Sequence, residues 1–503
     1  MTSRLTAKLH RQIQDGIDPV VVFRELLSTP SVSFSEYLLY DYLVSMITDF
    51  RKKLPVAQRQ KMGVDFTPAG QLIVRWRGRP DDPRKSVLIS HVDTEGFLVR
   101  EVDRSTDTAL CWHTSGEAPE DDKVGSPVKL VLPYGALRGN IKKISKPSRP
   151  LTRDNPFDHE IVVRIEDRDS SRITKFERNP YFIGVGNYEI PVWSNRDGVI
   201  SATHVDNTAG VSVLITLLMT AIKKHWPVNI DFLFTTCEEP GFCGIVSEIL
   251  DGSVLNSAKD GEVVCIVVDS SSHVKFTKDE QLWNQDYQRE PRSSIQTEVP
   301  LQDVVIRTGD GMFLFDPEVT KLLCSAALNV QCSATDRVLW AGRKRSSVSD
   351  EYRNALRSEQ RGYIIRSSVP VGRLIGGWCE ASPLRLEHAI RERIGAPPLN
   401  LRVGSLAIPI AHYRNSFNNK LQPEKCHQDS LRGACEILGE ATRLVHRWPF
   451  GLRNNPADKQ LPGADKAVDT LMAWHDVFSA LTLVTTEWGR KKVQGGPAWA
   501  LSE

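Results

Sequence analysis

An α/β fold carrying a β-rich insertion is predicted by three features of this 503-residue sequence. Residues 228–234 and 263–268 are apolar runs of strand length, and residues 210–222 ahead of them form an apolar helix. The first run leads into Glu238-Glu239 and the second ends at Asp269, and acids beyond the carboxyl ends of parallel strands are where such sheets place their sites. Between about 96 and 199 the pattern changes to short apolar runs (128–132, 160–165, 181–185) punctuated by Gly, Pro and Asn, with little helical period. The expected organisation is a discontinuous α/β domain over 1–95 and 200–445, an inserted β-rich domain over 96–199, and a linker with a helical extension over 446–503.

In chain order, residues 4–28 read as a helix, with Leu9, Ile13, Ile17, Val21, Phe23 and Leu26 set among charges. Thr29-Pro30 breaks it. A second helix follows over 33–53, with Ser35 expected as its N-cap. Strands at 71–76 and 86–89 flank a Gly/Pro/Asp turn at 78–83, and the second strand delivers His91-Val92-Asp93. Residues 333–375 hold nine basic side chains, Arg343, Lys344 and Arg345 among them, and few acids. That stretch reads either as a solvated surface insertion or as a surface for an anionic partner. Residues 400–411 are apolar and 429–445 suit a helix. Pro449, Pro456 and Pro462 mark a linker, and an apolar helix is expected over 465–484.

Composition narrows the class. Hydrophobic residues make up 40% and charged residues 25%, the balance of a soluble globular protein. A net charge of +2 gives no argument for a nucleic-acid or membrane partner. Nine cysteines in so long a chain do not form a disulfide framework and read as reduced thiols of a cytoplasmic protein. The polar N-terminus has no secretory pattern, and no uninterrupted apolar run is long enough to cross a bilayer.

Chemistry-bearing residues recur in order along the α/β part. His91-x-Asp93 pairs a possible metal ligand with an acid placed to orient its ring. Asp206, just before an apolar helix, is most simply an N-cap but is equally suited to bridge two cations. Glu238 and Glu239 are adjacent where a strand ends, so one acid is able to bind metal while its neighbour faces substrate. Asp269 ends a buried strand, where an unpaired carboxylate is costly. His412 follows an apolar run in Ala411-His412-Tyr413-Arg414-Asn415. Nitrogen and oxygen donors without thiolates suit zinc, cobalt or manganese.

In this order the residues resemble the co-catalytic di-zinc metallo-aminopeptidases of the tetrahedral and glutamyl aminopeptidase type. The motifs that carry the resemblance are Leu26-Leu27-Ser28-Thr29-Pro30-Ser31-Val32-Ser33, Ser90-His91-Val92-Asp93-Thr94-Glu95-Gly96-Phe97 and Asp206-Asn207-Thr208-Ala209-Gly210. They continue in Glu238-Glu239-Pro240-Gly241-Phe242-Cys243-Gly244, Val268-Asp269 and, more faintly, Gly376-Gly377-Trp378-Cys379-Glu380-Ala381. The resemblance implies a mixed-sheet exopeptidase-like catalytic domain interrupted by a small β domain, and assembly into a homo-oligomer. It also implies site roles. His91 and Asp269 would bind one ion, Asp206 would bridge to a second, and Glu239 would hold that second ion. Glu238 would be the general base and Asp93 would orient His91. The implied activity is hydrolysis of a short peptide or an N-acyl small molecule, with one or two zinc ions as cofactor.

Two departures shape the expectation. The family's late metal-binding histidine falls on Arg414, and a guanidinium offers no lone pair to a metal. Asp206-Asn207-Thr208 stands where the family has two acids and an arginine. The sequence therefore predicts one tightly bound ion at His91 and a weak second site, with His412 as substitute ligand and Arg414 binding the substrate. The alternative from another class is a catalytically silent scaffold or sensor that binds a partner through the arginine-rich insertion.

Overall fold

The computed structural model describes residues 17–29, 31–114, 123–132, 135–145, 159–169, 182–189, 193–252, 254–255, 263–276, 296–310, 314–335, 371–372, 379–399, 401–415, 421–450 and 464–478. The arginine-rich stretch lies almost wholly outside these residues, as does Gly376-Gly377-Trp378.

The strands run β1 (Met62–Phe66), β2 (Leu72–Arg77), β3 (Lys85–His91), β4 (Phe97–Asp103), β5 (Thr108–His113), β6 (Pro127–Leu132), β7 (Gly135–Ser145), β8 (Glu160–Asp169) and β9 (Gly184–Tyr188). They continue with β10 (Ser194–Arg196), β11 (Val199–Ala202), β12 (Asn229–Thr235), β13 (Val263–Ser272), β14 (Val274–Phe276), β15 (Gln296–Glu298), β16 (Val305–Arg307), β17 (Val371–Gly372), β18 (Leu401–Ile410) and β19 (Glu424–His427). The helices are α1 (Pro19–Leu26), α2 (Tyr37–Lys52), α3 (Val56–Arg59), α4 (Val205–Lys223), α5 (Cys243–Asp251), α6 (Pro317–Thr335), α7 (Ala381–Arg385), α8 (Glu387–Arg393), α9 (Gln428–Val445) and α10 (Ala464–Phe478).

One mixed sheet of eight strands, in the order β1-β2-β12-β3-β13-β18-β16-β17, forms the middle layer. Its four central strands are parallel. Because side chains alternate across a strand, neighbouring residues enter opposite cores. Leu88, Phe232, Val264, Ile266 and Ile408 face a core with α1, α2, α4, α6 and α9, whereas Val87, Ile89, Leu233, Cys265 and Val403 face one with α5, α7, α8 and α10. The result is a three-layer α/β/α unit, with strands buried on both faces as central parallel strands require. Helix α4 is apolar all round and almost entirely buried. It is the one helix among the described residues long and apolar enough to cross a membrane, and here it is core.

Residues 97–188 contribute a closed barrel, β4-β5-β8-β7-β6-β9, around Val99, Leu130, Ile141 and Val163. The barrel closes through antiparallel β4 and β9, with Phe97 opposite Gly186, so the chain enters and leaves it on neighbouring strands. Ser35 does not cap α2. Its hydroxyl donates to the Val32 carbonyl (2.8 Å), and Glu36 occupies the position before the helix.

Candidate active site

Sheet register explains how residues far apart in sequence meet. Ile89 on β3 lies opposite Val267 on β13, the last pair between them; two residues further on, β3 ends in His91 and β13, which continues beside β18, carries Asp269. Thr235, three residues before Glu238, lies opposite His91 from the other side. The His91 ring is fixed by Nδ1, which donates to the Asp93 carbonyl at 3.0 Å. That bond turns Nε2 toward the acids, 3.4 Å from Asp269 Oδ1, 3.5 Å from Asp206 Oδ1 and 3.9 Å from Glu238 Oε2.

Asp206 is free of the capping role that its place before a helix suggests, because Asn207 takes it. Asn207 Oδ1 accepts from the Gly210 N–H at 3.1 Å. Its Nδ2 donates to Ser90 Oγ and to the Val268 carbonyl, both at 2.9 Å, which ties the helix start to the ends of β3 and β13. A side chain on Gly210 would meet Asn207 Oδ1, Ser90 Oγ and the Val268 carbonyl within 2.7 Å, so only glycine allows this approach. Behind Asp206, buried Glu424 accepts from its N–H at 3.2 Å. Burial, with Asp206 nearby, pushes the Glu424 carboxyl up to about 8.

Asp93 organises the adjacent glutamates as well as His91. Its Oδ1 accepts from the Glu238 N–H at 3.0 Å, and its Oδ2 from the Glu239 N–H at 3.2 Å and Ser33 Oγ at 2.8 Å. The loop is further pinned by Glu36, which accepts from the Cys237 N–H at 3.1 Å, and by Gln71, which accepts from the Thr236 N–H at 2.8 Å. Burial raises the Glu238 carboxyl well above its ordinary value; His91 opposes that, and Glu239, Asp269 and Asp206 add to it. Burial alone lowers the His91 imidazole, but Glu238, Asp206, Asp269 and Asp93 outweigh it and hold it well above its ordinary value.

Among the described residues, His91, Asp206 and Asp269 form the group whose ligand atoms lie within 4.8 Å of one another. Glu239 and His412 stand outside that group. His412 instead engages the Pro423 carbonyl through Nδ1 at 3.1 Å. Tyr413–Asn415 is a single 3-10 turn, and the Arg414 side chain lies outside the described residues.

Three residues of this site do not stand out in the sequence. Arg307, at the end of β16, is 1% exposed and places Nη1 3.6 Å from Asp269 Oδ2; among the described residues its Nε and Nη2 make no hydrogen bond. Glu380 is buried and accepts from Thr235 Oγ1. Burial pushes its carboxyl up to about 7. Asn207 is the third. The faint signal for Arg307 is a lone cation closing an apolar strand, Val304-Val305-Ile306-Arg307.

Fold and site together define a mixed-sheet α/β domain with an accompanying barrel, in which one imidazole and several carboxylates converge. Residues 70–251 match the family model described as M42 glutamyl aminopeptidase. The Bacillus subtilis (strain 168) protein named "Putative aminopeptidase YhfE" is 22% identical over 244 residues, which takes in 44% of this chain and 62% of that relative's length. Solved structures share the fold. The TET aminopeptidase from the marine sediment archaeon Thaumarchaeota archaeon SCGC AB-539-E09 superposes with a TM-score of 0.54 at 12% identity, covering 90% of this chain and 99% of that one. Aminopeptidase APDkam598 from Desulfurococcus kamchatkensis gives 0.53 at 14% identity, over 87% and 99%. The Pyrococcus horikoshii TET1 peptidase, which can assemble into a tetrahedron or a large octahedral shell, gives 0.50 at 16% identity, over 84% and 98%.

Proposed function

We propose that the protein is a metal-dependent aminopeptidase or related amide hydrolase, acting on short peptides or N-acyl small molecules. The observation that carries this reading is the convergence of His91 at the end of β3, Asp269 on β13 and Asp206 at the start of α4 beside Glu238. One imidazole and two carboxylates, with the ring's other nitrogen already bonded, fit a divalent ion such as zinc. Such an ion, when bound, lowers the pKa of water and polarises a carbonyl.

The chain supplies the rest. Glu238 takes a proton from the attacking water and passes it to the leaving amine, and its placement near His91 Nε2 keeps that transfer short. Asp93 holds both the imidazole and the Glu238 backbone, so one carboxylate sets the spacing between ligand and base. Asp206 and Glu239, with His412 as substitute ligand, would hold a second ion at a weak or empty site, and Arg414 would bind the substrate's carboxylate or carbonyl. Zinc, a cytoplasmic setting and a homo-oligomer complete the reading. The first follows from the donor set, the second from buried cysteines such as Cys111, Cys265 and Cys426 that form no disulfide among the described residues, and the third from the assembly of the Pyrococcus horikoshii TET1 peptidase.

Metal analysis together with a screen of aminoacyl and N-acyl substrates tests this. Glu238→Gln is expected to lower kcat about 10³-fold and to retain metal. Hydrolysis that survives both Glu238→Gln and a chelator overturns the proposal, and protein that binds neither metal nor substrate supports the scaffold alternative.

A further inference from the structure

We infer that the C-terminal helix α10 positions the Glu238–Glu239 loop, with Trp474 as the positioning residue; this rests on the reading of those glutamates given above. The loop turns back sharply after the two acids, because the Glu238 carbonyl accepts from the N–H groups of both Gly241 and Phe242 at 3.0 Å. Gly241 adopts φ +151°, and a Cβ there would sit 2.9–3.1 Å from the Trp474 ring and its Cβ. The backbone of the turn thus rests directly on the indole, and glycine is required both for the conformation and for the approach. Cys237 and Phe242, on either side, also hold positive φ, at 54° and 61°. A loop with three positive-φ residues within six positions keeps its shape only where its surroundings hold it.

Those surroundings have two sides. Asp93, Glu36 and Gln71 bind the loop's N–H groups from within the α/β unit. From outside, α10 packs on the turn itself, while barrel residues Leu98 and Trp112 share a cluster with Cys237 and Cys243 at its ends. Besides Trp474, α10 contributes His475, whose Nε2 lies 3.0 Å from Ser247 Oγ on α5, and the Trp474 carbonyl, 3.8 Å from Cys243 Sγ. The helix is anchored at its start by buried Ala467, Val468 and Leu471 and at its end by Phe478. The Phe478 ring stacks at 5.8 Å on Phe34, in a cluster that also takes in Leu98 and Trp112 of the barrel and Cys237 of the loop. One helix therefore touches the opening turn, the barrel junction and the acidic loop together. The distance between Glu238 and His91 depends on where that loop backbone sits, and misplacement on the ångström scale is costly in a site that works by positioning.

The test uses the full-length chain with Trp474→Ala and Trp474→Phe, and with Asp469→Ala, which removes only the exposed ion pair between α10 and Arg393, as control. The readouts are amide hydrogen exchange over 236–243, zinc affinity, and kcat and KM on an aminoacyl substrate. Trp474→Ala is expected to speed exchange in 236–243 about tenfold more than elsewhere and to lower kcat about tenfold with KM within about twofold. Trp474→Phe restores both, and Asp469→Ala leaves both unchanged. Exchange that stays at the wild-type level, or that rises equally across the chain, overturns the inference. If Trp474→Ala does not fold, Trp474→Leu is measured in the same way. A wild-type protein without hydrolytic activity sinks the proposed function, while the exchange measurement still decides the role of α10.

Discussion

Asn207 carries three tasks with one amide: it caps α4, joins β3 to β13, and leaves the Asp206 carboxylate to the site. Asn207→Ala removes a cap and strands two buried partners, Ser90 Oγ and the Val268 carbonyl. A loss of about 2–3 kcal/mol in denaturant unfolding is expected, with weaker zinc binding because Asp206 loses its anchor. Arg307 works by charge. Buried against Asp269, it offsets part of the negative charge that Asp206, Glu238, Glu239 and Asp269 bring together. Arg307→Met is expected to destabilise the metal-free protein by about 3 kcal/mol, as removing one partner of a buried pair does. Added zinc then supplies the missing charge, so the rise in Tm on metal addition should be larger in the variant than in wild type. Equal rises in the two proteins would mean that Arg307 does not share Asp269 with the ion. His91, Asp206 and Asp269, which the structure brings together, stand out in the sequence because such chemistry restricts candidates to a few residue types in a recognisable order. Arg307, Glu380 and Glu424 do not, because each matters only through a partner between about 35 and 220 positions away, and a single charged residue in an apolar stretch does not declare its partner.

Among the elements, α5 contains a carboxyl that the site does not use. Glu248 is fully buried; Thr67 Oγ1 donates to its Oε1, and its Oε2 has no partner among the described residues. Burial pushes its carboxyl from an ordinary value near 4.5 up to about 8. Between those values the folded protein holds a proton that the unfolded chain has released. The stability this group contributes is therefore complete below about pH 4.5 and is lost as pH rises toward about 8, at about 1.4 kcal/mol per pH unit. Glu248→Gln keeps the acceptor for Thr67 and never ionises. Its Tm should match wild type near pH 5 and exceed it increasingly toward pH 8; curves that stay parallel across that range would show that Glu248 does not titrate there. Element types were easier to read from sequence than element ends. The apolar period of α4 and the buried runs of β12 and β13 leave little choice, but the start of α4 turns on whether Asp206 or Asn207 caps it, and both are good cap residues. Helix α2 shows the same limit: Ser35 has the right chemistry for a cap, yet its hydroxyl turns back to Val32.

For the molecule as a whole, we propose that the barrel over 97–188 is a module inserted into the catalytic unit, and its geometry says what removing it should do. Because β4 and β9 are paired, the two junctions lie side by side, and a short link from Gly96 to residue 189 spans them without disturbing β3 or β11. The eight-stranded sheet and both of its cores draw no strand from the barrel. The excised chain should therefore fold and remain soluble. It should not keep full activity. Leu98, Trp112, Phe182 and Val185 of the barrel pack with Val32, Phe34, Cys237 and Cys243, so excision bares an apolar surface against the loop that carries Glu238 and Glu239. The Asn187 side chain also donates to the Glu95 carbonyl at 3.3 Å, two residues beyond Asp93. The expected outcome is a cooperative thermal transition with zinc binding at His91 largely retained and kcat reduced at least about tenfold, the scale of a mispositioned base. Light scattering on the same pair of proteins addresses assembly: a homo-oligomer in the full chain and a smaller species after excision would place subunit contacts on the barrel. A full-length protein that stays monomeric over a wide concentration range removes the oligomer from the proposed function, and an excised chain that does not fold removes the module.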